Sequence, residues 1–211
     1  MTQPSSLTLE SRDLLRRQII EGALRPRERL IAADLADMLQ VSRTPVREAL
    51  YLLASEGLVV PTKRGFMVRE FTPSEIVEIY EVRAALEGMA ARLAAERGGG
   101  RAIEAVLEVE AGTVTLAKSA RQVLVDKNTL FHRAIFAAAG NERLGRLNGQ
   151  HTEHFFNYRI ADLYTDEEAA ASIEGHRQIE VALRKRDGDA AEKAARDHIL
   201  EALSVTLRKL R

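Results

Sequence analysis

The 211-residue sequence contains no cysteine, so neither a disulfide framework nor a thiolate metal site is available to it. That composition fits a reducing cytosol. It also lacks any run of about 18 apolar residues, and its start, MTQPSSLTLESRDLL, has no basic stretch followed by an apolar one. Neither a membrane span nor a standard export signal is expected, and the expected location is cytoplasmic. Net charge is missing too. The 31 basic residues balance 31 acidic ones, so basicity does not announce a nucleic-acid ligand and any DNA affinity has to come from local charge. Residues 1–72 hold eleven Lys and Arg against nine Asp and Glu, a net of +2, leaving −2 for the remainder. Metalloprotease patterns (H-E-x-x-H, H-x-x-E-H) and the Glu-x-x-His pairs of di-iron bundles are absent as well.

What is present is 45% hydrophobic and 29% charged residues over a length comfortable for two domains, each able to bury a core. The stretch Leu30 to Glu70 reads as helix, tight turn, helix, hairpin. Leu35, Leu39 and Val41 form one apolar face, and Val46, Ala49, Leu50 and Leu53 recur at helical spacing on a second helix. That second helix begins in Ser42-Arg43-Thr44-Pro45, where Ser42 or Thr44 can cap and Pro45 suits the first helical position. Arg43, Thr44 and Arg47 are then exposed at its start, with Arg43 and Arg47 four apart on one face. Two short β runs follow, Leu58-Val59-Val60 and Phe66-Met67-Val68, joined through a basic tip, Lys63-Arg64-Gly65. An arginine pair on one helix face suits guanine edges and phosphates, and the tip suits phosphates. A lone arginine pair is as often a solvated charged face. The order helix, turn, helix, basic wing weighs against that reading.

VSRTPVREAL, followed by L-x-x-EGLV from Leu53 to Val59, resembles the signature of the GntR family of bacterial transcription regulators, over roughly residues 8–70. The resemblance implies a winged helix-turn-helix that binds a palindromic double-stranded DNA operator as a homodimer.

Along the chain, a first helix is expected from about Leu9 to Gly22, with Leu14, Leu15, Ile19 and Ile20 as its apolar face. Thr72-Pro73-Ser74-Glu75 is a capping-box helix start, so the domain boundary is set at 71/72; the family resemblance implies DNA binding for residues 1–71 and effector binding and dimerisation for 72–211. From Ser74 onward the pattern is helical throughout. Six antiparallel helices are expected: to about Arg97, stopped by Gly98-Gly99-Gly100; Arg101 to Ser119; Arg121 to Ala139; Glu142 to Leu163; one capped by Thr165 and Glu168, reaching Arg186; and one capped by Asp189 and Glu192, reaching Leu210. The fold class is mainly α, a winged helix-turn-helix followed by a six-helix bundle.

All five histidines lie in the helical half. A single helical histidine is more often a core or surface residue than a ligand, so spacing has to argue for more. Asn128 and His132 share a face at i and i+4. His176 and His198 stand at nearly equal distances from the turn at Asp187-Gly188, hence at nearly one height on neighbouring helices. Three converging imidazoles with an oxygen donor suit Zn, Ni or a similar divalent ion with positions left open. NTLFHRAIFAAAGN, EGHRQIEVALRKRDGD and ARDHI are similar to the FCD ligand-binding domain of the FadR-type GntR subfamily. That resemblance implies a divalent metal held by Asn128, His132, His176 and His198. Asn128 stands where Asp is usual, so the site lacks one negative charge and is expected to bind more weakly or with help from an effector's carboxylate.

Arg83, in YEVRAALEGMAARLAA, matches a family position and is a candidate for an anionic effector; a salt bridge with Glu87 at i+4 is the equal alternative. Tyr158 and Arg159 in HFFNYRI are candidates for the same cavity, whereas His151 and His154 receive no role. The leading expectation is a homodimeric regulator whose operator affinity is set by a small organic acid near the bundle metal. A metal-dependent enzyme on the bundle and a metal-only sensor stand as alternatives.

Overall fold

The computed structural model describes residues 4–111, 121–152 and 163–210. The chain divides into two compact units, Met1–Phe71 and Thr72–Arg211.

In the first unit, α1 (Ser6–Ile20) starts three residues earlier than its apolar pattern predicts, because the Ser5 side chain accepts from the Thr8 N–H at 3.2 Å and caps it. The face it buries holds Thr8, Ser11, Leu15 and Ile19, and Leu14 is 39% exposed, contrary to expectation. Thr8 Oγ1 donates to Glu48 Oε2 at 2.7 Å, tying α1 to the helix α3 (Arg43–Ser55). A two-residue strand, β1 (Arg29–Leu30), precedes α2 (Ala32–Leu39). That helix ends at Gln40 in the left-handed conformation, with the Val41 N–H returning to Ala36 O, and α3 (Arg43–Ser55) follows at once. Strands β2 (Val59–Thr62) and β3 (Gly65–Val68) complete a three-stranded antiparallel sheet in the order β1-β3-β2.

Leu15, Ile19, Leu30, Val46, Leu50, Leu53 and Val68 fill this core at 0–1% exposure, each contributing about 1.5–3 kcal/mol of burial. Gly65 is required at its place. Its φ is +117°, and a Cβ there would stand 2.7 Å from Leu30 O, in the seam between β3 and β1.

The second unit is helical throughout the described residues: α4 (Pro73–Arg97), α5 (Gly100–Ala111), α6 (Arg121–Ala139), α7 (Glu142–Thr152), α8 (Asp166–Lys185) and α9 (Gly188–Lys209). The expected extensions of the second helix to Ser119 and of the fourth to Leu163 run into 112–120 and 153–162, outside the described residues. Thr72 with Glu75, and Thr165 with Glu168, form the two complete capping boxes. The last helix corrects its expectation. Asp187, not Asp189, is the cap, accepting from the Ala190 N–H at 3.0 Å, while Asp189 pairs with Arg92.

Helix α4 is the centre of the unit. Its Ala90, Ala91, Ala94 and Ala95 are fully buried, and small side chains let neighbouring helices come close. Phe131 and Ile135 of α6, Ile179 and Leu183 of α8, and Ala191 and Ala195 of α9 close the core around them. Among the described residues, no helix is long and apolar enough to cross a membrane.

Candidate functional site

Each unit carries one constellation. In the first, Ser42 is the N-cap residue of α3 in position, though its side chain makes no capping bond. Pro45 is therefore the third helical residue rather than the first. It is tolerated there because the first four N–H groups of a helix have no internal partner. Arg43, Thr44 and Arg47 are exposed, while Pro45 and Val46 between them are buried. Lys63 and Arg64 are exposed at the β2–β3 tip, with Gly65 behind them. Arg12 and Arg16 meet Glu56, and Arg27 meets Glu70. No carboxylate among the described residues lies against Arg43, Arg47, Lys63 or Arg64. The unit thus presents unneutralised cations on two elements, with the positive end of the α3 dipole beside Arg43 and Thr44.

In the second unit, His132 of α6, His176 of α8 and His198 of α9 converge at 3–5% exposure, with one ligand nitrogen of each within 4.8 Å of the others. Three points so placed share a centre within about 2.8 Å of each, against the roughly 2.1 Å of a zinc–imidazole bond, so small ring rotations reach it. Phe131 stacks on His176 with centroids 4.3 Å apart and holds that ring in place. Asn128 joins them, as His176 Nε2 donates to Asn128 Oδ1 at 3.1 Å.

Two residues that the pattern did not bring forward complete the centre. Glu87 of α4 sets Oε2 against His132 Nδ1 and accepts Arg83 Nε on Oε1 at 2.7 Å. A carboxylate on Nδ1 fixes the ring's orientation, and Nε2 is buried without a hydrogen-bond partner. Gly175 is the other. A Cβ at this position would lie 2.6 Å from His198 Nδ1, so the bare backbone of α8 makes the space that His198 occupies. The Arg83–Glu87 spacing was a visible clue to the first, but nothing local marked Gly175.

The electrostatics follow from burial. It pushes His176 and His198 well below the ordinary imidazole range, and the neighbouring imidazoles push the same way, so both rings are neutral near pH 7, as metal ligands must be. Burial would raise the Glu87 carboxyl, but His132 and then Arg83 outweigh it and hold Glu87 well below the usual carboxylate range. Arg83 is likewise buried and paired, in the expected salt bridge with Glu87. Tyr80 and Thr206 share a buried 3.0 Å hydrogen bond, and the Tyr80 ring lies 5.8 Å from the Arg83 guanidinium. An open cleft of about 170 Å³ between α8 and α9 reaches His198 from the surface, past Tyr164, Ser172, Glu201 and Arg208. The side chains of His151, His154, Tyr158 and Arg159 lie outside the described residues.

Residues 78–201 match the FCD domain, and residues 7–68 match the bacterial regulatory proteins of the gntR family. The chain is 32% identical over 206 residues to the probable D-xylose utilization operon transcriptional repressor of Paenarthrobacter nicotinovorans, covering 96% of this chain and 89% of that protein. It is 28% identical over 204 residues to the HTH-type transcriptional repressor GlaR of Escherichia coli (strain K12), covering 90% of this chain and 91% of that one. Among solved structures, E. coli McbR/YncC superposes with a TM-score of 0.85 at 26% identity, over 98% of this chain and 100% of that one.

Proposed function

This chain belongs to the gntR family of bacterial regulatory proteins with an FCD domain, and is a DNA-binding transcription regulator rather than an enzyme; from that premise we propose that it is a cytoplasmic, homodimeric repressor whose operator affinity answers to a small organic acid bound beside a divalent metal. Arg43, Thr44 and Arg47 read base edges, and Lys63, Arg64 and the Gly65 backbone hold phosphate. His132, His176 and His198 hold the metal, with Asn128 as a neutral oxygen donor. When bound, the metal supplies a positive charge with open positions for a carboxylate.

The observation that carries this reading is His132 Nε2, buried with no hydrogen-bond partner in a cluster where one ligand nitrogen of each of the three histidines lies within 4.8 Å of the others. An empty apolar packing role would not leave such an atom orphaned. The donor set of three imidazoles and an amide suits Zn, Ni or a similar borderline ion. Repression is taken from the names of two relatives, each described as a transcriptional repressor. Tyr158 and Arg159 remain candidates for the effector cavity.

A metal-only sensor is the second reading, favoured by one observation: Arg83, the expected anion contact, already spends its Nε on Glu87. Operator binding followed during separate titrations with metal, with simple carboxylic acids, and with both distinguishes the two. The proposal expects acid to move operator affinity only when metal is present. A response to metal alone, unchanged by any acid, favours the sensor. Light scattering that gave a monomer mass at micromolar concentration would contradict the homodimer, which a palindromic operator needs.

A further inference from the structure

Helix α3 carries a third exposed side chain in line with its two arginines. Tyr51 follows Arg47 by four residues and Arg43 by eight, so the three project from one helical face, one turn apart. Tyr51 is 56% exposed, unusual for a large aromatic in a unit whose other rings seek cover. Its ring is nevertheless held. It stands edge-on to Phe66 of β3, centroids 5.1 Å apart and planes at 86°, and Phe66 is itself only 6% exposed and paired with Leu30 and Pro61 across the sheet. The hydroxyl meets no acceptor among the described residues. Tyr51 therefore stands where the arginine row meets the sheet that carries the Lys63-Arg64 tip, its ring packed on the wing and more than half of its surface exposed.

We propose that Tyr51 is a DNA-backbone contact, its hydroxyl donating to a phosphate of the strand that passes between α3 and the wing, and that its ring on Phe66 sets the angle between those two elements. Tyrosine is among the side chains that bond phosphate oxygens, fixing register without reading sequence. Such a bond carries no charge. It adds affinity equally on any duplex and releases no counterion, unlike a lysine or arginine contact. The proposal rests on Arg43 and Arg47 facing DNA.

Binding of the 211-residue chain to a mixed-sequence duplex, measured over a series of salt concentrations, tests it. Tyr51→Phe keeps the ring on Phe66 and removes one oxygen, and an unchanged melting temperature checks that nothing else moved. The expected result is a loss of about three- to tenfold in affinity at every salt concentration, with the salt slope as in wild type. Lys63→Ala, run beside it, should lower the slope by about one, and Arg47→Ala should weaken affinity. If Tyr51→Phe binds as wild type while Arg47→Ala is weakened, Tyr51 only packs against the wing and the proposal is overturned. If Arg47→Ala itself keeps wild-type affinity and slope, the row does not face DNA, and the reading of α3 falls together with this one.

Discussion

The two constellations are built in opposite ways. On the first unit, Arg43, Arg47, Lys63 and Arg64 are exposed and lack carboxylate partners, so their charges stay hydrated until a polyanion arrives. In the second unit, His132, His176 and His198 are buried to within a few per cent and locked by Phe131, Glu87 and the gap at Gly175. The surface set can be altered without disturbing any core residue. The buried set is itself core, so each change there alters packing and ligand affinity together. An exposed interface keeps its stability separate from its affinity, whereas a buried donor set links the two.

The largest expected effect tests that linkage. With a divalent ion at a thousandfold over its Kd, binding to the folded state alone adds about 4 kcal/mol, seen as a raised melting temperature. His132→Ala, His176→Ala or His198→Ala should remove most of that gain in a thermal-shift measurement with and without metal. Next, Arg43→Ala and Arg47→Ala should each weaken operator binding by more than tenfold, since a lost bidentate base contact costs about 1–3 kcal/mol, with the melting temperature unchanged. A drop in melting temperature for either would break the contrast, because it would show the arginines to be structural.

Gly175→Ala should be comparable in size but felt in the other unit. Its methyl group displaces His198, costing about 1–3 kcal/mol in overpacking and blunting the metal-induced shift. Circular-dichroism melts with and without metal give both numbers. The smallest effect is on pH. His176 and His198 have folded-state values below their unfolded ones, so the unfolded chain binds more protons as acid is added. Metal-free stability should be fully present above about pH 6.5 and fall as pH drops below it. Replacing either histidine by Gln should flatten that slope in denaturant titrations from pH 7.5 to about 5.

How much of this could be read from residues alone follows the range of the interactions. Thr72 with Glu75 and Thr165 with Glu168 act over three residues, and both helix starts were readable. So was the convergence of His176 with His198, because a short turn sets two antiparallel helices in register. Strand β1 went unseen, since two residues have no periodicity and exist as a strand only by pairing with Met67 and Phe66 far along the chain. Asp187 and Asp189 are both plausible caps, and the choice is made by Arg92, about a hundred positions away, which pairs with Asp189. The contact of Glu87 with His132 and the emptiness at Gly175, which His198 fills, arise only when four helices pack, so no local pattern carries them.

Calorimetric titration of a divalent ion into metal-stripped protein near pH 7.5 tests the buried centre most directly, with wild type and Asn128→Asp compared. The account predicts one ion per chain for wild type, and tighter binding for Asn128→Asp, which adds a charged oxygen one turn before His132. Wild-type protein that takes up no ion, and is not rescued by Asn128→Asp, would contradict it and leave the three histidines as packing.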